Sequence, residues 1–145
     1  MGNPEDQLLT MARSKHLGEI ASINKILEGH PDVRLAMLFG SLAAGSQGPE
    51  SDIDLAVDVG RVLDESKKIQ LISELSVALG RPVDLVDLFS AGEPLLGQIL
   101  AGGKRLLGED RHYAFILRRH LFDQADFLPY RSRILRERRK AWIGR

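Results

Sequence analysis

The stretch that decides the fold is Gly40-Ser41-LAAGSQGPES-Asp52-Ile53-Asp54-LAV, which spans residues 40–57. A Gly-Ser turn is followed by a ten-residue loop and then by a strand that carries two carboxylates. Side chains alternate across a strand, so Asp52 and Asp54 share a face, with Cα atoms about 7 Å apart. An isolated Asp-x-Asp pair usually marks a solvated face. Beside a backbone-rich turn, however, aligned carboxylates can hold Mg²⁺ and a nucleotide's phosphates.

The alternation continues through residues 52–59 and predicts a half-buried strand with an anionic face. Ile53, Leu55, Val57 and Val59 form its apolar face. The opposite face carries three acids: Asp52, Asp54 and Asp58. Like charges on one strand cost stability unless a cation neutralises them, which strengthens the expectation of a metal site.

A further acid follows a predicted helix over 64–79, in a second predicted strand at 82–88. Asp84 lies on the strand face opposite Val83 and Leu85, whereas Asp87 is expected at the strand end. If Asp84 faces Asp52 and Asp54, the three carboxylates can ligate two Mg²⁺ ions about 3.5–4 Å apart.

These residues, in this order and spacing, resemble the DNA polymerase beta superfamily of nucleotidyltransferases. Within it the chain is most similar to the minimal nucleotidyltransferase (MNT) group, the antitoxin partners of HEPN-type toxins. The resemblance implies that Asp52, Asp54 and Asp84 are the catalytic and metal-binding residues. It also implies that Gly40 and Ser41 contact the phosphates of ATP.

One position departs from the wording that small members of the superfamily often show. Ala44 stands where a basic residue often follows the Gly-Ser turn. A missing cation near a triphosphate weakens nucleotide binding or moves that role to another residue. The candidates for that role are Arg61, Lys67, Lys68 and Lys104.

Composition and patterning predict one α+β domain. The chain has 145 residues, a formal net charge of zero, 43% apolar residues and no cysteine. A short mixed sheet is expected from strands near 33–39, 52–59, 82–88 and 104–107, packed by helices at 5–28, 64–79 and 94–101. We expect a nucleotidyltransferase core at 1–108 and a C-terminal helical extension at 109–145. With neither a signal peptide nor a membrane span in the sequence, a cytoplasmic location is expected.

The last sixteen residues, 130–145, carry seven basic residues and one acid. Leu128, Leu135 and Trp142 recur every seven residues and form an apolar seam. A solvated face accounts for most of the arginines. The resemblance favours a toxin interface over direct nucleic-acid binding, and apart from Trp142 no aromatic residues are interleaved with the basic ones. The four histidines lack metal-ligand spacing and are interpreted as surface or capping residues.

Three functions are consistent with the sequence. The first is a Mg²⁺-dependent transfer of AMP from ATP to a tyrosine of a cognate HEPN toxin, with which the chain would form a hetero-oligomer. The second is an antitoxin that acts by contact alone, with a weak or idle nucleotide site. The third is a small-molecule nucleotidyltransferase, for which the chain leaves little room to form an acceptor pocket.

Overall fold

A four-stranded mixed sheet organises the protein, whose computed structural model describes residues 2–40 and 52–125. The described elements are α1 (Pro4–Glu28), β1 (Leu35–Phe39), β2 (Ile53–Asp58), α2 (Glu65–Leu79), β3 (Val83–Asp87), α3 (Leu95–Gly102), β4 (Lys104–Gly108) and α4 (110–125). The α+β class, the four predicted strands and the three predicted helices are confirmed. The boundary between a core and an extension near residue 108 stays a prediction.

The order of the strands brings three strand ends together. The sheet runs β3-β2-β1-β4; β1 pairs antiparallel with β2 and with β4, and β2 pairs parallel with β3. The last residue of β1, Phe39, therefore lies at the same end as Ile53 and Val83, the first residues of β2 and β3. We call this edge the carboxylate end of the sheet, since Asp54 and Asp84 lie there.

One face of the sheet packs against α1 and α2. Asp64 caps the start of α2 by accepting from the Lys67 backbone N–H at 2.7 Å, and Gly80 ends it in the left-handed region at φ +65°. The predicted apolar face of β2 is confirmed here. It joins the helices in a core that includes Ile23, Leu27, Leu71, Leu75, Ile53, Leu55 and Val57.

The other face of the sheet is also covered, by α3 and α4. Ala56 of β2 packs there in a second core with Leu35, Met37, Leu88, Leu96, Ile99 and Ile116. The prediction of a half-buried strand with three acids on an open face is therefore wrong beyond Asp54. Asp58, on the same face, is fully buried and accepts from the Arg34 guanidinium at 3.0 Å and from the Gly60 backbone N–H at 2.8 Å.

A polar cluster joins the end of α1 to α2 at the opposite end of the sheet. The Lys67 ammonium donates to Nδ1 of His30 at 2.6 Å and pairs with Asp32 at 2.9 Å. The Nε2 atom of His30 lies 2.6 Å from a Glu74 carboxylate oxygen, and this hydrogen bond lowers the pKa of Glu74. His30 is buried, so its interpretation as a surface residue is wrong, whereas its backbone N–H does cap the end of α1 by donating to the Leu27 carbonyl at 3.0 Å.

None of the helices in the described ranges is both long and apolar enough to cross a membrane.

Candidate active site

Asp54 and Asp84 are direct neighbours at the carboxylate end of the sheet. In the parallel register of β2 and β3 they are partner residues, so both side chains lie on the same face. The Ile53 backbone N–H donates to the Pro82 carbonyl at 2.9 Å, and this hydrogen bond fixes the register where the two strands begin. Asp52 lies two residues before Asp54 and is exposed. The structure thus brings the three predicted carboxylates to the carboxylate end of the sheet.

The pKa of Asp54 reflects the closeness of the other carboxylates. Its side chain is half-buried, and partial burial raises its pKa above the usual value of 3.8 because the charged form loses solvation. The negative charges of Asp84 and Asp52 raise the pKa of Asp54 further. A bound cation would relieve both effects, since it supplies the missing positive charge.

The backbone of Gly40 lies directly against the side chain of Asp54. Gly40 has φ +71°, in the left-handed region that glycine adopts without a steric penalty. A Cβ built on it would lie 2.2 Å from Oδ2 of Asp54. The last residue of β1, Phe39, is the antiparallel partner of Asp54, so the turn begins directly beside this carboxylate.

We expect Gly40→Ala to lower activity strongly, because the new methyl group displaces the Asp54 carboxylate. Gly80→Ala is the matched control: its φ is +65°, and its Cβ would meet nothing within 4 Å. Both variants should lose about 1–2 kcal/mol of unfolding free energy from the left-handed backbone alone. The measurement is the rate of nucleotidyl transfer together with urea unfolding of both variants. Equal activities in the two variants would contradict the assigned contact.

The donor set fits Mg²⁺, which prefers carboxylate oxygens and keeps several water ligands. Within residues 2–40 and 52–125, however, no three His, Cys, Asp or Glu side chains are gathered closely enough to hold a metal ion as they stand. Mutual repulsion favours such a separation in the absence of a cation. Because Asp52 and Asp84 are exposed, their side chains can change rotamer at low cost.

Two other acids of β2 and β3 have structural roles. Asp58 is buried at the opposite end of the sheet, in its pair with Arg34. Asp87 is the last residue of β3, as predicted. It accepts from the backbone N–H groups of Leu63 and Phe89, both at 3.0 Å, and from the Ser90 hydroxyl at 2.7 Å.

Two predicted positions, Ser41 and Ala44, lie outside the described residues. Four cations were considered as substitutes for a basic residue at position 44. Three of them lie at the end of the sheet opposite the carboxylate end, because Arg61, Lys67 and Lys68 belong to the segment that follows β2. Lys104 is different, because it begins β4 and pairs with Leu38, two residues before Gly40. Lys104 is therefore the one of the four at the carboxylate end, although its partner Leu38 packs on the sheet face that α1 and α2 cover, opposite the face of Asp54.

Sequence reasoning did not find the ion pair that holds α1 at the carboxylate end of the sheet. Both carboxylate oxygens of Glu19 accept from the Arg81 guanidinium, at 3.0 and 2.8 Å, and both residues are buried. Arg81 lies two residues before β3. The available signal was an acid on the apolar side of a predicted helix, but nothing in the sequence identifies its partner 62 residues away.

Comparison with known proteins gives a consistent family. The model of the polymerase beta nucleotidyltransferase domain matches residues 21–112, more than half of the chain. The protein adenylyltransferase MntA of Shewanella oneidensis is 39% identical over 94 residues, which are 65% of this chain and 68% of that protein. A putative protein adenylyltransferase of Methanocaldococcus jannaschii is 40% identical over 86 residues, covering 55% of this chain and 86% of that one.

Solved structures agree with the fold. A toxin–antitoxin structure with AMP-PNP superposes with a TM-score of 0.71 at 33% identity, covering 81% of this chain and 96% of the other. A complex of a tri-AMPylated Shewanella oneidensis HEPN toxin with its MNT antitoxin gives a TM-score of 0.64 at 29% identity, covering 82% and 97%. The chain, with its paired strand carboxylates and its glycine turn, belongs to the polymerase beta nucleotidyltransferase family.

Proposed function

We propose that this protein uses Mg²⁺ and ATP to transfer AMP to a tyrosine hydroxyl of a cognate HEPN toxin, and so neutralises the toxin. The observation that carries the proposal is the direct pairing of Asp54 with Asp84, at the strand edge where Gly40 contacts Asp54. Adenylyltransferase relatives, and a related antitoxin solved with an AMPylated HEPN toxin, support the substrate class and the partner.

The proposed reaction is an in-line displacement at the α-phosphorus of ATP. The acceptor oxygen forms a bond to that phosphorus, the bond to the bridging oxygen of the β-phosphate breaks, and pyrophosphate leaves. When bound, two Mg²⁺ ions would stabilise the attacking and leaving oxygens. Asp52 and Asp54 would hold both ions. Asp84 would hold the ion next to the acceptor and would accept the proton of the acceptor hydroxyl.

The remaining residues of the turn bind the nucleotide. The lack of a side chain at Gly40 lets the triphosphate approach the backbone closely. Ser41 would donate its hydroxyl and its backbone N–H to a β- or γ-phosphate oxygen. The raised pKa of Asp54 fits this arrangement, because the carboxylate gains most from a cation that arrives with the substrate.

The direct test is a transfer assay with ATP labelled at the α-phosphate, Mg²⁺ and the cognate HEPN protein as acceptor. Label should appear on the HEPN protein, and peptide mapping should place it on a tyrosine. Activity should disappear when the divalent cation is chelated. Label that stays on this chain alone, or label on no protein, would overturn the proposal.

A contact-only antitoxin remains the second candidate, favoured by Ala44 in the place where the resemblance leads one to expect a basic residue. The double variant Asp52→Asn/Asp54→Asn separates the two. Under the proposed function it loses both AMP transfer and protection of cells from the toxin. Under the contact-only alternative it still protects cells.

We expect Lys104 to assist nucleotide binding in place of a basic residue at position 44, its long side chain reaching around the strand ends from the sheet face opposite Asp54. Lys104→Ala should raise the KM for ATP roughly fivefold, because an ammonium near a triphosphate contributes about 1 kcal/mol at an exposed site. Lys68→Ala is the control, since Lys68 is an exposed lysine at the far end of the sheet. Equal KM values for the two variants would assign the phosphate contact elsewhere.

A further inference from the structure

Helix α1 consists of two halves with different surroundings. Its second half packs in the core through Ile20, Ile23 and Leu27. Its first half, residues 4–18, keeps its large apolar side chains in solvent: Leu8, Leu9, Met11 and Leu17 are between 59% and 68% exposed. Leu8 and Leu9 are adjacent on the helix surface, whereas Met11 and Leu17 project in other directions, so the candidate interaction surface is the Leu8–Leu9 patch.

Leu8 and Leu9 continue the stripe that is buried in the second half. Leu9 precedes Ile20 by eleven residues, about three helical turns, and Leu8 precedes Ile26 by eighteen, about five turns. Both therefore lie on the side of α1 that faces the sheet. Along residues 4–18 that side of the helix has passed beyond the sheet, so no element of the described sheet covers Leu8 and Leu9.

The Glu19–Arg81 pair fixes where the helix leaves the core. Arg81 lies two residues before β3, so α1 passes the carboxylate end of the sheet at Glu19. At 1.5 Å per residue, the fifteen residues from Pro4 to Gly18 extend about 22 Å beyond that point. The exposed stripe thus borders the space beyond the strand ends that carry Asp54 and Asp84, on the opposite face of the sheet from the two carboxylates.

We propose that Leu8 and Leu9 dock the protein that accepts AMP, holding its hydroxyl next to Asp84; this inference rests on the proposed function. An acceptor must approach the edge that carries the carboxylates, and there it passes along α1. Residues 7–18 also include Arg13 and Lys15 but no acid. The acceptor surface that fits is therefore an apolar patch with an acidic rim, located beside the modified residue.

The test uses the full chain and the cognate HEPN protein, with the double variant Leu8→Ser/Leu9→Ser. The control is Ile69→Ser/Val77→Ser, which removes two apolar side chains of α2 that are 59% and 85% exposed. The docking variant should raise the KM for the acceptor roughly tenfold or more. Its kcat at saturating acceptor and its KM for ATP should equal those of the parent, and the control should change neither KM by more than about twofold.

The other outcomes contradict the docking proposal. An unchanged acceptor KM shows that the stripe does not contact the acceptor. A lower kcat or weaker ATP binding assigns the stripe a structural role. A fall in Tm indicates that another part of this chain, such as residues 126–145, covers the stripe. A parent dimer that dissociates in the variant, seen by sedimentation, assigns the stripe to a second copy.

Failure of the proposed function gives a different result. If the parent binds the HEPN protein but transfers no AMP, the function fails. The docking proposal is then judged by the Kd of the complex, which should rise tenfold in the variant. If the parent neither binds nor modifies the HEPN protein, both proposals are overturned.

Discussion

Asp54→Asn is expected to lower the rate of AMP transfer by on the order of 10³-fold, the loss typical of removing one group that stabilises charge in a transition state. Asp54 is the central carboxylate of the site: it pairs with Asp84 across the strands and contacts the Gly40 turn. An amide keeps the shape of the side chain but loses its negative charge. The measurement is the initial rate of label transfer at saturating ATP, acceptor and Mg²⁺.

The same substitution should leave the fold intact. Because burial and its two acidic neighbours raise the pKa of Asp54, the folded chain binds this proton more tightly than the unfolded chain does. Ionised Asp54 therefore lowers stability as the pH rises through its raised pKa. At pH 7 Asp54→Asn should unfold at the same temperature as the parent or a higher one, and this advantage should shrink at pH 4.

Asp123→Asn is the control for the loss of activity, since Asp123 is an exposed acid near the end of α4. It should transfer AMP at the parent's rate. Retention of more than a tenth of parental activity by Asp54→Asn would show that Asp54 does not hold the metal.

Asp58→Ala is expected to lower the free energy of unfolding by about 3 kcal/mol, because it removes one partner of a buried ion pair. Asp58 is fully buried, and its carboxylate accepts from Arg34 and from the Gly60 backbone N–H. The loss falls at the low end of the range for buried pairs, because the Arg34 side chain is 33% exposed and keeps some hydration. Urea unfolding at pH 7 measures it.

An exposed pair provides the control for this loss of stability. Asp110, whose side chain is 96% exposed, pairs with Arg105 at 2.9 Å. Asp110→Ala should cost less than about 1 kcal/mol, the usual value of a surface pair. At temperatures where it is folded, Asp58→Ala should retain parental activity, because Asp58 lies outside the site. A large loss of activity without loss of stability would show that Asp58 contributes to the active site.

The sequence by itself determined the elements and the spacing of two of the candidate carboxylates. The alternation of residues 53–57 and the Gly80 stop predicted a strand and a helix that the structure confirms. These features are local, because strand periodicity and helix caps depend on residues a few positions apart. The Asp-x-Asp spacing placed Asp52 and Asp54 together for the same reason.

Only the tertiary structure decided which residues meet across the fold. The register of β2 and β3 depends on backbone pairing, and it made Asp84 the partner of Asp54. The covering of the second sheet face by α3 and α4 buried Asp58 with Arg34, although local periodicity placed it with the exposed acids. The length of α1 that passes the sheet is likewise set by the contact of Glu19 with Arg81. Each of these is a contact between residues distant along the chain, and local pattern carries no information on such contacts.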